Sequence, residues 1–238
     1  MGLGTLINVL GVLAGGFVGM LIGHRISKNM QEAIMKAAAI SVIFLGIIGA
    51  CEHALRISEN KVVSQGAMML VVSLTLGTLI GELLNIERLF ENLGIYLKKI
   101  TNSGKDNRFV DSFIMASLTI CIGAMSILGA IQDALFHDYS VLMAKTVLDG
   151  ITILIFTAAN GRGSIFSVVP LVIFQGGITL LAKFIEPIMT PTALTNLSLV
   201  GSVLIFCVGA NIIWKLKIRI ANMLPAIIIA VIFAFLPF

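Results

Sequence analysis

The chain has 238 residues, 58% of them hydrophobic and only 12% charged, with a mean hydropathy of +1.06. A soluble domain carries about 25% charged residues, and no water-soluble fold of this length could hide so much apolar surface; a bilayer is the solvent that suits it. The formal net charge of +4 does not point to nucleic acid, because the 16 basic residues sit almost entirely between apolar runs, where the positive-inside rule accounts for them.

Taken in order, the first apolar run resembles a signal peptide only in length. Met1–Gly23 lacks a basic leading region and a small-residue cleavage site, and its basic residues follow the apolar stretch, so it reads as a retained span. A span needs about 20 mostly apolar residues. The chain offers eight, at 4–23, 34–54, 62–81, 110–131, 140–159, 164–183, 195–213 and 220–237, with seven as the alternative count. The expected fold class is therefore all-α: a polytopic transmembrane helix bundle, one integral membrane domain over residues 1–238.

The first span carries Gly11, Gly15, Gly19 and Gly23, one glycine every fourth residue. Small residues on one face let two backbones approach closely in lipid. The partner is either another helix of the same chain or the same face of a second copy, which would make a homo-oligomer. Asn8, in the same span, needs a hydrogen-bond partner on another helix. Span two ends in Glu52-His53, and a loop with Arg56, Glu59 and Lys61 follows. Residues 83–100 place Leu83, Ile86, Leu89, Phe90, Leu93, Leu97 and Ile100 at helical spacing, opposite Glu87, Arg88, Glu91, Lys98 and Lys99. That pattern predicts an amphipathic helix lying in the membrane interface.

Spans four and five form the most polar hairpin of the chain, Cys121–Gly150, with Gln132, Asp133, Lys145 and Asp149. Span six carries Pro170 and Gln175. Asn211 closes span seven, and Asn222 with Pro225 makes the start of span eight irregular.

The basic residues sort cleanly if the N-terminus lies outside. Arg25, Lys28, Lys36, Arg88, Lys98, Lys99, Lys105, Arg108, Arg162, Lys215, Lys217 and Arg219 then face the cytoplasm, against Arg56, Lys61 and Lys183 outside. Both termini would be extracytoplasmic. IIGACEHAL at 47–55 echoes ILGAIQDAL at 127–135, which reads either as a duplicated hairpin or as the chance likeness of small-residue helices.

Lys145 and Asp149 share one face of span five. Ionisable groups inside a bilayer cost a few kcal/mol or more and normally face a partner or a water-filled cavity. Lys145, Asp149, Asp133, Gln132, Gln175, Glu52, His53 and Asn8 are the candidate residues for binding a small polar solute or ion. Their chemistry fits a secondary transporter, with Asp149, Asp133 or His53 able to couple binding to protons. A passive channel would need a continuous polar path. A sensor or assembly protein would use the glycine stripe and the Glu82–Ile100 helix, with the pair only neutralising charge inside the bundle. A hydrated cavity reaching the pair marks the first reading; a sealed pair with no second state marks the last.

No enzyme is expected, since the chain has no GxSxG, no HExxH and no phosphate-binding glycine loop with lysine. His24, His53 and His137 are scattered, and Cys51, Cys121 and Cys207 have no CxxC neighbour, so neither a metal nor another cofactor is expected.

FIMASLTICIGAMSILGAIQDAL, AKTVLDG, FSVVPLVIFQGGIT and IANMLPAIIIA, in that order, resemble the DUF554 family of bacterial inner-membrane proteins, and GTLINVLGVLAGGFVGMLIG fits as well. The likeness covers essentially the whole chain. It implies a multipass membrane fold and adds no substrate. It also implies that Gly123, Met125, Gln132, Asp133, Lys145, Asp149, Gln175, Asn222 and Pro225 belong to the family's pattern. Ala124 stands where that pattern leads one to expect a proline after Gly123.

Overall fold

The structure is a computed structural model that describes residues 2–23, 25–58, 61–104 and 106–236. Met1, His24, Glu59, Lys105 and Pro237, which enter the sequence expectations, lie outside the described residues.

The chain opens with α1 (Leu3–Gly23) and α2 (Lys28–Ala54), the latter capped by the Ser27 hydroxyl, which accepts from Met30 N at 3.3 Å. Where a loop is expected, β1 (Leu55–Ser58) pairs antiparallel with β2 (Lys61–Ser64), with Leu55 opposite Ser64 and Arg56 opposite Val63. The mixed charges hide a short run of β-branched residues that suits a strand. Next come α3 (Ala67–Leu84) and α4 (Ile86–Ile100), joined at Asn85, whose left-handed backbone (φ 50) turns the chain. Helix α4 is the expected amphipathic element, with Glu87 in its first turn and Lys98 and Lys99 in its last, as the helix dipole favours.

The fourth expected span, 110–131, is not one helix. It divides into α5 (Phe109–Cys121) and α6 (Ala124–Phe136), whose axes bend by 59°. Gly123 makes the break, with φ 147 and ψ 151, a backbone conformation essentially closed to residues with a Cβ. Helix α7 (Ser140–Asn160) is continuous. The sixth span starts as a 3-10 turn, Arg162–Ser167, and continues as α8 (Val168–Leu180); α9 (Ala182–Ile185) is a single turn. Helix α10 (Pro191–Trp214) is capped by the Thr190 hydroxyl, with proline at its first position. The eighth span is shorter than the expected 220–237. It consists of α11 (Ile220–Met223) and α12 (Pro225–Phe233), roughly 20 Å of helix at 1.5 Å per residue against a hydrocarbon core of about 30 Å. Among the described residues, six helices are long and apolar enough to cross a membrane, and the bent α5–α6 pair makes a seventh. The chain is thus an all-α polytopic membrane bundle.

Glycine contacts fix how the helices pair. Gly11, Gly15, Gly19 and Gly23 all face α7: a Cβ on Gly15 would overlap the Gly150 carbonyl, and one on Gly19 would meet the Leu154 carbonyl at 2.5 Å. The glycine stripe is therefore filled within the chain, and a homodimer would need another face. Numbers rise together along α1 and α7, so the two helices run parallel. Gly46 of α2 abuts Phe206 of α10 and Gly209 abuts Ala39, so this pair is antiparallel; Gly77 and Gly81 of α3 abut Ala226 and Asn222 in the same sense. These directions agree with a chain that alternates across the membrane at each successive span. Leu6, Leu10 and Phe17 of α1 and Phe44, Leu45 and Ile48 of α2 point outward, where lipid replaces water as the neighbour.

Close backbone approach makes a direct prediction. Gly15→Ala should lower stability by about 1–3 kcal/mol through overpacking, read as a fall in the thermal unfolding midpoint in detergent. Gly176→Ala, whose new Cβ meets nothing within 4 Å, should be neutral or mildly stabilising.

Candidate functional site

A break inside a membrane span leaves backbone carbonyls without helical partners, and in hydrocarbon each would cost several kcal/mol. The Ile120 carbonyl, near the end of α5, accepts a hydrogen bond from Lys145 Nζ at 2.8 Å. The Lys145 ammonium also pairs with Asp149, one turn further along α7. Asp149 Oδ2 in turn accepts from Asn8 Nδ2 of α1 at 3.1 Å, and the same amide donates to Gln175 Oε1 of α8 at 3.0 Å. Gln175 Nε2 donates to Thr5 Oγ1 at 3.1 Å, and the Thr5 and Thr179 hydroxyls are 3.1 Å apart.

Four helices thus share one polar chain, from the Ile120 carbonyl through Lys145, Asp149, Asn8 and Gln175 to Thr5 and Thr179. It is sealed: Lys145 is 5% exposed, Asp149 7%, and Asn8 and Gln175 are fully buried. A cleft of about 290 Å³ lined by Gly2, Thr5, Gly176, Thr179 and Leu180 touches only its threonine end. Asn8 Oδ1 is buried with no hydrogen-bond partner, because the amide nitrogen is turned to the carboxylate and to Gln175.

Of the residues singled out from the sequence, Lys145, Asp149, Asn8 and Gln175 come together. Asp133 is buried but bonded elsewhere: its Oδ2 accepts from Gly4 N at 2.9 Å, a carboxylate holding the first turn of α1 as helix N-termini favour. Gln132 is half-buried, with its Oε1 unpartnered. Glu52 and His53, expected in the same cluster, stand apart from it. Helix α2 runs unbroken to Ala54 and leads into the β-hairpin, leaving Glu52 exposed. The His53 carbonyl accepts from Gln65 Nε2 at 3.2 Å. The two echoing segments therefore occupy unlike settings, a straight helix end and a half-helix after a break.

The sequence reading passed over Thr5, Thr179 and the Ile120 carbonyl. The threonines carried a faint signal: Thr5 lies three residues before Asn8 and Thr179 four after Gln175, so each shares a face with a residue already suspected. The carbonyl carried none beyond Gly123 itself.

The polar chain can do two things. It can neutralise a broken helix, and it can exchange a proton or cation at Asp149 if the seal opens. Removing one partner of a buried pair costs about 3–5 kcal/mol, so Lys145→Met or Asp149→Leu alone should destabilise by that much. The double variant should recover much of the loss, since the Ile120 carbonyl keeps the Ser126 hydroxyl, at 3.5 Å, as its remaining donor. Chemical or thermal unfolding of the four proteins closes that cycle.

A bundle of this composition with an ion pair sealed on a broken helix defines a polytopic α-helical membrane protein. Residues 3–235 match the family model described as protein of unknown function (DUF554), and the chain belongs to that family. It is 29% identical over 226 residues to the uncharacterized membrane protein YdfK of Bacillus subtilis (strain 168), covering 95% of this chain and 93% of the relative. It is 26% identical over 237 residues to the uncharacterized protein YqgA of Escherichia coli (strain K12), covering 97% and 95%. No solved structure matches.

Proposed function

We propose that this protein is a small secondary transporter of a polar or ionic solute, coupled to protons, with Lys145–Asp149 as its exchange site. The observation that carries the reading is the bonding of the pair to the open carbonyl of a broken span. Discontinuous helices are where transporters place their ion and substrate sites. The sealed geometry is read as the occluded stage of an alternating-access cycle, with the Thr5–Thr179 cleft on one side of it. A passive channel fits less well, because buried side chains interrupt the polar path.

The charge asymmetry of the loops supports insertion in a bacterial inner membrane with both termini outside. Fusing a reporter that works in only one compartment to the C-terminus checks this; a cytoplasmic signal would reverse the orientation.

Sealing also favours a second reading, a membrane sensor or assembly protein in which the pair merely neutralises charge. The two separate in proteoliposomes. A panel of small polar solutes is applied against a pH gradient while an internal dye reports protons. Transport predicts a solute-dependent proton flux that Asp149→Asn reduces at least tenfold in protein that still elutes as a folded species. Flux unchanged in Asp149→Asn and Lys145→Ala would remove the pair from the mechanism. Absence of flux, with one stoichiometric partner copurifying, would establish the second reading instead.

A further inference from the structure

A larger cavity, of about 470 Å³, lies among α4, α5, the end of α10 and the connector into α11. That volume suits a small molecule. Its charged walls are of opposite sign. Glu87 and Glu91 on α4 and Asp111 in the first turn of α5 form one; Lys215 and Lys217 on the connector form the other. Leu118, Met115 and Val208 supply an apolar lining.

Glu91, Asp111, Lys215 and Lys217 are exposed and Glu87 half-buried. Among the described residues these five make no ion pair, while Arg219, which also lines the cavity, pairs with Glu82 at 2.8 Å. The connector is held in place: Asn211 donates to the Ile218 carbonyl at 2.8 Å and accepts from its N–H at 2.9 Å. Lys215 and Lys217 both adopt left-handed backbone, φ 53 and 57, a conformation that non-glycine residues take at a cost and that clusters at functional sites. Burial, reinforced by Glu91 and opposed by Arg219, pushes the Glu87 carboxyl above its ordinary range.

We infer that the cavity binds a small zwitterion, an aliphatic α-amino acid whose ammonium meets Glu87 and its neighbouring carboxylates and whose carboxylate meets Lys215 and Lys217. The side chain packs on Leu118 and Met115. A ligand with one charge would leave one wall unsatisfied. The binding does not depend on the transport reading.

Trp214 is the single tryptophan of the chain and adjoins Lys215, so its fluorescence can follow titration of the purified full-length protein in detergent, with calorimetry in parallel. L-Leucine is the probe; isoamylamine and 4-methylpentanoate each lack one of its charges. Saturable leucine binding is expected, with each single-charge analogue at least tenfold weaker. Glu87→Gln should weaken leucine at least tenfold and leave 4-methylpentanoate unchanged, whereas Lys217→Met should weaken both, a reciprocal pattern that general misfolding does not produce. The inference is overturned if leucine fails to bind at millimolar concentration, if either analogue binds as well, or if neither variant alters leucine. Leucine binding without flux of any solute keeps the cavity and removes the transport proposal. Flux of another solute, with no leucine binding, does the reverse.

Discussion

One backbone carbonyl sets the terms for the centre of this protein. Gly123 breaks a span at a depth where no water can satisfy the peptide groups released, so the end of α5 must find a donor within the protein. Lys145 supplies it. A buried ammonium then needs an anion, which Asp149 provides from the next turn of the same helix. The carboxylate needs further donors, and Asn8 reaches it from α1. Each step follows from the cost of the one before, so a conformational choice at a single glycine organises side chains on four helices.

Two kinds of interface flank this centre. Helices α1 and α7 meet through glycines, backbone against backbone, in a fit that leaves no room for a methyl group. Helices α1 and α8 meet through the hydrogen bonds of Thr5, Asn8, Gln175 and Thr179, while Gly176 and Gly177 on α8 have open space around them. Packed interiors resist small displacements, whereas a few hydrogen bonds can exchange for water. The first interface rests on backbone packing and the second largely on hydrogen bonds, and the sealed pair lies between them.

Much of the architecture was readable in advance because hydropathy and length report what faces lipid. The six long spans and the amphipathic α4 follow from apolar period alone. The Lys145–Asp149 pair was legible because both residues lie on one helix, four apart. Its partners were not, since Asn8 and Gln175 arrive from helices whose placement depends on packing. The break at Gly123 escaped because its flanks are apolar, and glycine is ordinary in membrane helices. Asp133 was placed correctly near a helix end, but its partner is a backbone N–H, which has no letter in the sequence. Glu52 and His53 stand apart because their resemblance to Gln132 and Asp133 concerns residue type, while of the four only Asp133 has a buried setting.

The pairing of α1 with α7 has a consequence in time. Asn8 and Asp149 are 141 residues apart, and Gly4 and Asp133 are 129 apart. At synthesis rates of about 5–20 residues per second, α1 waits roughly 7–28 s in the bilayer before the helix it fits has been made. Throughout that interval its glycine groove and a lone amide face lipid, or any passing helix with small residues to offer. A helix made long before its partner is therefore late to find its seat, and a vulnerable moment for this protein falls in its biogenesis as well as in its finished fold.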